Sequence, residues 1–291
     1  VALAVANAGS PLAAVVSGLV IASSPPLFGY GQLVQITHHI FMLVPVAAAA
    51  ACFLRPNFQA GRLLDFLGGA LLGFALWISP ETMPLVLAFT ALRAAICLQH
   101  VSSGPVWPVA VGLMLMVLTG WAIDPPPPTF SVWALDHISF AWLLFSFALA
   151  YLLLLTDYCV DRNWPLSSAV IRLACALLVA ATVWLLVVPG AMSGPSGLIP
   201  SDLKAPWYDR IEELQALSQP SQWLAYLLLP ITSASLLVYI AWRERSIWLL
   251  VLAVSVLIYS VLCASHIRMG AAAAMMSSLA FGIGIGRLRA F

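Results

Sequence analysis

Two adjacent histidines, His38 and His39, stand at the start of the apolar stretch VQITHHIFMLV (34–44). Ionisable side chains within or beside a membrane-spanning segment are costly to bury, and they often belong to functional sites. Consecutive residues of a helix point about 100° apart, so this pair cannot easily bind one metal ion together. The pattern fits imidazoles hydrogen-bonded at the membrane boundary, or a haem ligand that a histidine on a facing helix would complete.

Two carboxylates stand at the beginnings of apolar stretches. Glu81 lies between two prolines in WISPETMPLV (77–86), and Asp136 lies in SVWALDHISFAW (131–142), in the first turns of a predicted span. Either group can cap the helix that follows, because negative charge near a helix N-terminus is stabilising. Either can instead act as a general base or accept a hydrogen bond from a substrate hydroxyl.

Two further charged residues, Arg268 and Glu213, belong to different kinds of segment. Arg268 in SHIRMG (265–270) either pairs with nearby carboxylates or holds a phosphate, which the guanidinium fork fits well. Glu213 lies in SDLKAPWYDRIEELQAL (201–217), where apolar residues recur at helical spacing and charges occupy the other faces. This pattern predicts an amphipathic helix on the outer membrane surface, either as a structural brace or as the roof of a cavity.

The composition determines the class of protein that must position these residues. The 291 residues are 63% hydrophobic and 8% charged, whereas about 25% of the residues of a soluble domain are charged. The sequence therefore predicts an all-α polytopic membrane protein. A net charge of +1 argues against a nucleic-acid partner. Five widely separated cysteines predict single core residues rather than a zinc site or a disulfide framework.

Ten apolar stretches are long enough to predict membrane-spanning helices. They cover 2–22, 36–54, 62–79, 82–98, 105–123, 132–156, 167–189, 222–242, 246–265 and 268–287. The long polar insertion, 190–222, predicts an extracytoplasmic loop that carries the amphipathic helix. We therefore expect a single transmembrane domain over 1–291, with small residues in FGIGIG (281–286) allowing close helix packing.

The basic residues predict the orientation of the bundle. Nine of the twelve Lys and Arg residues lie in connections that alternate to one side, and the positive-inside rule makes that side cytoplasmic. These nine are Arg55, Arg62, Arg93, Arg162, Arg172, Arg243, Arg245, Arg287 and Arg289. Both ends of the chain would then be cytoplasmic. Glu81, Asp136 and Arg268 would share the extracytoplasmic face, where we expect them to converge on one cavity.

Taken in order, these motifs resemble those of bacterial multi-spanning glycosyltransferases of the GT-C type, in particular a group of proteobacterial inner-membrane proteins. ITHHIF matches a histidine pair that opens a span, and Glu81 to Pro84 match a Glu-Thr-Leu-Pro-like turn. Asp136 and Ser139 match an Asp followed three residues later by Ser. The remaining matches run from a Gly-Pro through a surface helix to the last span: Gly194, Pro195, Trp207, Asp209, Arg210, Glu213 and Arg268. The resemblance covers about 30–287.

The resemblance implies glycosyl transfer from a polyprenyl-phosphate-linked sugar at the outer face of a bacterial inner membrane. Glu81 and Asp136 would orient sugar hydroxyls or supply the base. Arg268 would hold the donor phosphate with help from His38 or His39, and Glu213 would act from the roofing helix. No cofactor is implied, although a divalent metal assists some members of the family.

Two departures from the family pattern support other hypotheses. The Asp before the histidine pair is Thr37 here, and the Asn after it is Ile40. The acidic first outer loop of the family, together with the span before it, has no counterpart, because residues 23–35 contain no acid. The chain would then be a fragment of an enzyme or a shortened relative. The alternatives are a non-catalytic subunit of a larger membrane complex and, more remotely, a haem-binding redox subunit.

Overall fold

The computed structural model describes residues 1–7, 11–26, 38–55, 58, 61–125, 138–188 and 216–288, with backbone alone at 7, 38–40, 101 and 268. Within these ranges the regular structure is helical and contains no strand. The helices are α1 (Ala2–Asn7), α2 (Pro11–Ala22), α3 (His38–Phe53), α4 (Arg62–Ile78), α5 (Met83–Gln99), α6 (Trp107–Ile123), α7 (Phe140–Asp161), α8 (Leu166–Val187), α9 (Pro220–Glu244), α10 (Ile247–Ser265) and α11 (Gly270–Leu288). Short 3-10 turns occupy Pro80–Thr82, Val101–Ser103 and Ile267–Met269.

Six helical segments of the described chain are long and apolar enough to cross a membrane. They are Pro80–Gln99, Phe140–Asp161, Leu166–Val187, Pro220–Glu244, Ile247–Ser265 and Gly270–Leu288. The structure therefore supports the predicted class, a helical membrane protein. It does not confirm about ten spans, since α2, α6 and the apolar part of α3 are shorter.

Local sequence explains where several helices begin. Proline occupies the first turn of α5, α6 and α9, where its missing N–H would have no partner within the helix. Ser139 caps α7, because its Oγ accepts a hydrogen bond from the Ala141 N–H at 3.2 Å. This cap starts α7 at Phe140 and corrects the predicted start at 132, which had placed Asp136 within the first turns of the span.

The contacts divide the chain into two compact units. Residues 1–57 and 200–291 form one, here called the terminal unit, and residues 58–199 form the other, the central unit.

Within the terminal unit, α11 is a small-residue helix that is buried along most of its length. Gly282 lies against the side chains of Ser17 and Val5, and Gly284 lies against Leu236. The Ser17 Oγ donates a hydrogen bond to the Ser278 carbonyl at 2.7 Å, which joins α2 to α11. The predicted close packing through the glycines of FGIGIG is thus confirmed.

The connections of the terminal unit meet at two opposite ends. Gly270, at the start of α11, lies against Tyr226 near the start of α9 and against Pro26. At the other end of the same two helices, the Arg287 Nη1 lies 3.4 Å from the Glu244 carboxylate. The predicted arginine distribution groups these connections in the same way, with 243–246 and 287–291 on one side and Arg268 on the other.

Within the central unit, α4 and α6 run parallel and touch backbone to backbone. A Cβ added at Gly69 would collide with the Val109 carbonyl oxygen, and one added at Gly112 would collide with the Phe66 carbonyl oxygen. Gly73 faces Leu113 in the same way. Only glycine permits such an approach, so the stretch GGALLG (68–73) determines how closely these helices pack.

Candidate functional site

Of the six predicted site residues, Glu81 is the one whose side chain lies within the described part of the chain. It lies in the 3-10 turn Pro80–Thr82, which joins α4 to α5. The turn is closed by two hydrogen bonds to the Ser79 carbonyl, one from the Thr82 N–H at 3.0 Å and one from the Thr82 Oγ1 at 2.8 Å. Thr82 is fully buried, whereas Glu81 is partly exposed with its Oε2 buried. The structure therefore holds this carboxylate in a fixed turn that solvent still reaches.

The backbone is described at three other predicted positions. His38 and His39 lie in the first turn of α3, and Arg268 lies in the 3-10 turn that precedes α11. Each therefore stands at the beginning of a helix, as the sequence predicts. The side chains of these three residues lie outside the described part of the structure, as do Asp136 and Glu213 entirely.

The predicted amphipathic helix, 201–217, overlaps the described residues only at its last two positions. There the prediction is wrong, because Ala216 and Leu217 are not helical. The Leu217 N–H donates to the Ala264 carbonyl at 3.0 Å, and its side chain is buried. The apolar spacing that included Leu217 thus arises here from packing against the end of α10. Residues 201–215 lie outside the described part.

A second polar cluster, which sequence analysis did not identify, lies at the other end of the central unit around Arg93. The Arg93 Nε donates to Asp65 Oδ1 at 2.9 Å, and Nη2 donates to Oδ2 at 3.0 Å. Both side chains are almost fully buried. Arg93 was assigned to a connection between spans, and the structure corrects this, because it lies within α5 opposite a carboxylate of α4. A sequence signal existed, since Arg93 is an isolated charge in an apolar stretch.

The rest of the Arg93 guanidinium is taken up by the loop that follows α5. Nη1 donates to the Ser103 Oγ at 3.3 Å, and Nη2 donates to the Ser103 and Gly104 carbonyls at 3.0 and 3.3 Å. Gly104 has a φ of 77°, which favours glycine and lets the loop turn around the guanidinium. Every guanidinium nitrogen is therefore engaged by the protein, and the cluster acts as a structural clamp.

Asp157 holds the same loop from α7. Its two carboxylate oxygens accept hydrogen bonds from the Val106 N–H at 2.7 Å and the Trp107 N–H at 2.8 Å. These donors lie at the start of α6 and have no partner within that helix, so the carboxylate caps it from outside. Together with Arg93, Asp157 fixes the connection between α5 and α6.

Within the described residues, no group of three or more His, Cys, Asp or Glu side chains lies close enough to hold a metal ion. Cys97, Cys159 and Cys263 are buried, as predicted for core residues, whereas Cys52 is partly exposed. Cys175 is exposed on α8. Comparison with protein-family models, curated proteins and solved structures finds no match to this chain. The GT-C resemblance therefore remains a prediction from the ordered motifs.

Proposed function

We propose that the protein transfers a sugar from a polyprenyl-phosphate-linked donor to an acceptor at the extracytoplasmic face of a bacterial inner membrane. The observation that carries this proposal is the position of Glu81 in a closed turn between two helices. A general base must be held in place and must be reachable by the hydroxyl from which it removes a proton. Glu81 meets both requirements, because its turn is hydrogen-bonded internally and its side chain is partly exposed.

The separation of charges in the central unit supports the same proposal. Glu81 and Arg93 lie near opposite ends of the segment Pro80–Gln99, roughly 18 Å apart along its axis at 1.5 Å per residue. The charges of Arg93 and Asp157 are used to fix a loop of the protein itself. The positive-inside rule assigns that end to the cytoplasm, which leaves Glu81 on the outer side, where the proposed donor would be presented.

The other roles follow from the motif resemblance and are part of the proposal. Asp136 assists Glu81 in orienting hydroxyls or in accepting the proton. Arg268 holds the donor phosphate through paired charge-assisted hydrogen bonds, with His38 or His39 as a further donor. Glu213 acts from the outer loop.

One observation favours a second candidate function, a non-catalytic subunit of a larger membrane complex. Ala169 is the one buried residue of α8, and the apolar side chains along the rest of that helix are wholly or partly exposed. A spanning helix that is so little buried among the described residues offers its surface to lipid or to helices of another subunit.

Sugar transfer by the purified protein distinguishes the two functions. We expect the wild-type chain in nanodiscs to transfer labelled hexose from an undecaprenyl-phosphate-linked donor. The assay is run once with Mg²⁺ and once with a chelator. Glu81→Gln should reduce the rate by about 10²- to 10⁴-fold, the usual contribution of a general base. Glu244→Gln is the matched control, because Glu244 is a half-buried carboxylate at a connection of the other unit. Equal rates for wild type and Glu81→Gln would exclude Glu81 as the base.

Donor binding tests the phosphate role of Arg268 separately. Arg268→Lys keeps the charge but loses the planar fork, so a phosphate contact should weaken by about 1.5–3 kcal/mol, roughly ten- to a hundredfold in affinity. Titration of the donor lipid onto both proteins in nanodiscs measures the change. Equal affinities would remove the phosphate role, and no donor binding by the wild type would favour the accessory subunit.

A further inference from the structure

The connection between α7 and α8, in the sequence DYCVDRNWP (157–165), is a rigid helix ending. Asn163 has a φ of 51°, and its N–H donates to the Val160 carbonyl at 2.9 Å. The Trp164 N–H donates to the Cys159 carbonyl at 3.1 Å. This pair of hydrogen bonds is the Schellman arrangement, for which Asn is well suited because it tolerates the left-handed conformation. The backbone at Asn163 and Trp164 is therefore held to the end of α7 by two hydrogen bonds.

Trp164 forms the centre of a stack of aromatic and cationic groups. The Tyr158 ring meets it edge to face, with 5.4 Å between ring centroids and an interplanar angle of 90°. The Arg172 guanidinium carbon lies 3.8 Å from the centroid of the Trp164 ring, and that of Arg162 lies 5.3 Å from the Tyr158 centroid. Contacts of this kind hold a guanidinium through its face and leave its N–H groups directed outwards.

Both guanidiniums remain open to a ligand. Arg162 and Arg172 are exposed, and within the described residues neither forms an ion pair or a hydrogen bond through its side chain. Asp161 is an exposed carboxylate in the same turn, and within the described residues it forms no ion pair with either arginine. Asp157 does not compete for them, because its oxygens accept from the Val106 and Trp107 N–H groups.

The stack lies at one end of an exposed apolar helix. From Leu166 onwards α8 presents apolar side chains outwards, among them Ile171 and Leu178, and it is long enough to cross a membrane. Tyr and Trp rings at the end of such a helix are typical of the membrane–water boundary. Arg172 lies within the helix and contacts Trp164, so its guanidinium is drawn back towards that boundary.

We propose that the α7–α8 connection binds the headgroup of an anionic phospholipid, with the phosphate held between Arg162 and Arg172 and the acyl chains lying along α8. A guanidinium fork suits phosphate oxygens, and the aromatic stack holds the fork of Arg172 before the lipid arrives. This inference is independent of glycosyl transfer and applies equally to an accessory subunit.

Native mass spectrometry of the detergent-purified chain, titrated with phosphatidylglycerol, phosphatidylcholine or free glycerol phosphate, tests the site. We expect phosphatidylglycerol to bind more tightly than phosphatidylcholine and free glycerol phosphate to bind weakly. Arg162→Gln and Arg172→Gln should each weaken phosphatidylglycerol binding about fivefold, and the double variant about 25-fold, by the usual contribution of one basic residue near an anionic surface. Trp164→Leu should weaken it less, because both charges remain.

Arg62→Gln is the matched control, since Arg62 is an exposed arginine at a helix start and has no aromatic contact among the described residues. It should change phosphatidylglycerol binding less than twofold, and thermal unfolding should confirm that all variants fold. Unchanged binding in the double variant, or an equal loss in Arg62→Gln, would overturn the site. Equal binding of the two phospholipids would remove headgroup selectivity. Tight binding of free glycerol phosphate would show a phosphate site that does not require lipid.

Discussion

Two ion pairs, one in each unit, consist of an arginine and a carboxylate near helix ends, yet their surroundings differ. In the central unit Arg93 and Asp65 are 0% and 1% exposed and form two parallel hydrogen bonds. In the terminal unit Arg287 and Glu244 are 34% and 22% exposed, and a single contact of 3.4 Å joins them. Solvent screens the second pair, whereas either partner of the first would be left as a charge without solvent if the other were removed.

The glycines of the two units differ in the same way. Gly69 faces backbone atoms of Val109, which cannot move without shifting α6. Gly284 faces the end of the Leu236 side chain, with 2.5 Å between the added Cβ and Leu236 Cδ2, and a rotation of that side chain can relieve the contact. The crossing of α4 and α6 in the central unit should therefore tolerate little added volume at Gly69. The contact at Gly284 in the terminal unit can adjust through the Leu236 side chain.

Asp65→Asn should have the largest effect. It leaves the Arg93 guanidinium buried without its paired carboxylate, and breaking a buried pair in this way typically costs about 3–5 kcal/mol. We expect this loss in the free energy of unfolding, measured by denaturant titration in mixed micelles. A loss below about 1 kcal/mol would show that water or another group reaches Arg93, since exposed pairs contribute that little.

Arg93→Lys tests geometry apart from charge. The ammonium group keeps the positive charge but cannot span both Asp65 oxygens and the Ser103 loop together. We expect a loss of about 1.5–3 kcal/mol, the range for hydrogen bonds to charged groups. Faster protease cleavage at 101–105 should accompany it, because the loop loses three of its contacts to Arg93. Unchanged cleavage would mean that Asp157 alone fixes the loop.

Gly69→Ala and Gly284→Ala test the two helix crossings with the same change. Overpacking a tight interface costs about 1–3 kcal/mol, and we expect Gly69→Ala to reach that range because the opposing atoms belong to the backbone. Gly284→Ala should cost less, since Leu236 can rotate. Thermal unfolding in the same detergent measures both. A larger loss for Gly284→Ala would contradict the proposed difference between the units.

Glu244→Gln should have the smallest effect. Solvent reaches this partly exposed pair, so its contribution should stay near the roughly 0–1 kcal/mol of surface pairs and the variant should unfold almost as the wild type does. Unfolding at low and high salt supplies the control: any stabilisation from the pair should decrease with salt, while that from Asp65 should change little. A loss as large as that of Asp65→Asn would mean that the terminal pair is less hydrated than its exposure indicates.

The membrane class and the approximate positions of the helices were predictable from the sequence. Apolar length is a local property, and each predicted stretch coincides with one or more helices of the structure, α1 and α2 together for the first. The turn that holds Glu81 was also predictable, because Pro80 and Pro84 bracket it. The helix ends were less predictable. Helix α7 starts at Phe140 because Ser139 caps it, and apolar spacing does not show which of several nearby polar residues is the cap.

The burial of Arg93 depends on contacts between distant parts of the chain. The sequence places one arginine at the end of an apolar stretch, and charge counting assigns it to a connection in water. Only the folded chain brings Asp65, 28 residues earlier, and the Ser103 loop around it. The sequence by itself therefore determined that the chain is helical and membrane-embedded, because length and hydrophobicity act locally. The tertiary structure decided which charges are buried in structural contacts and which stay exposed, because the solvation of a charge depends on all its neighbours.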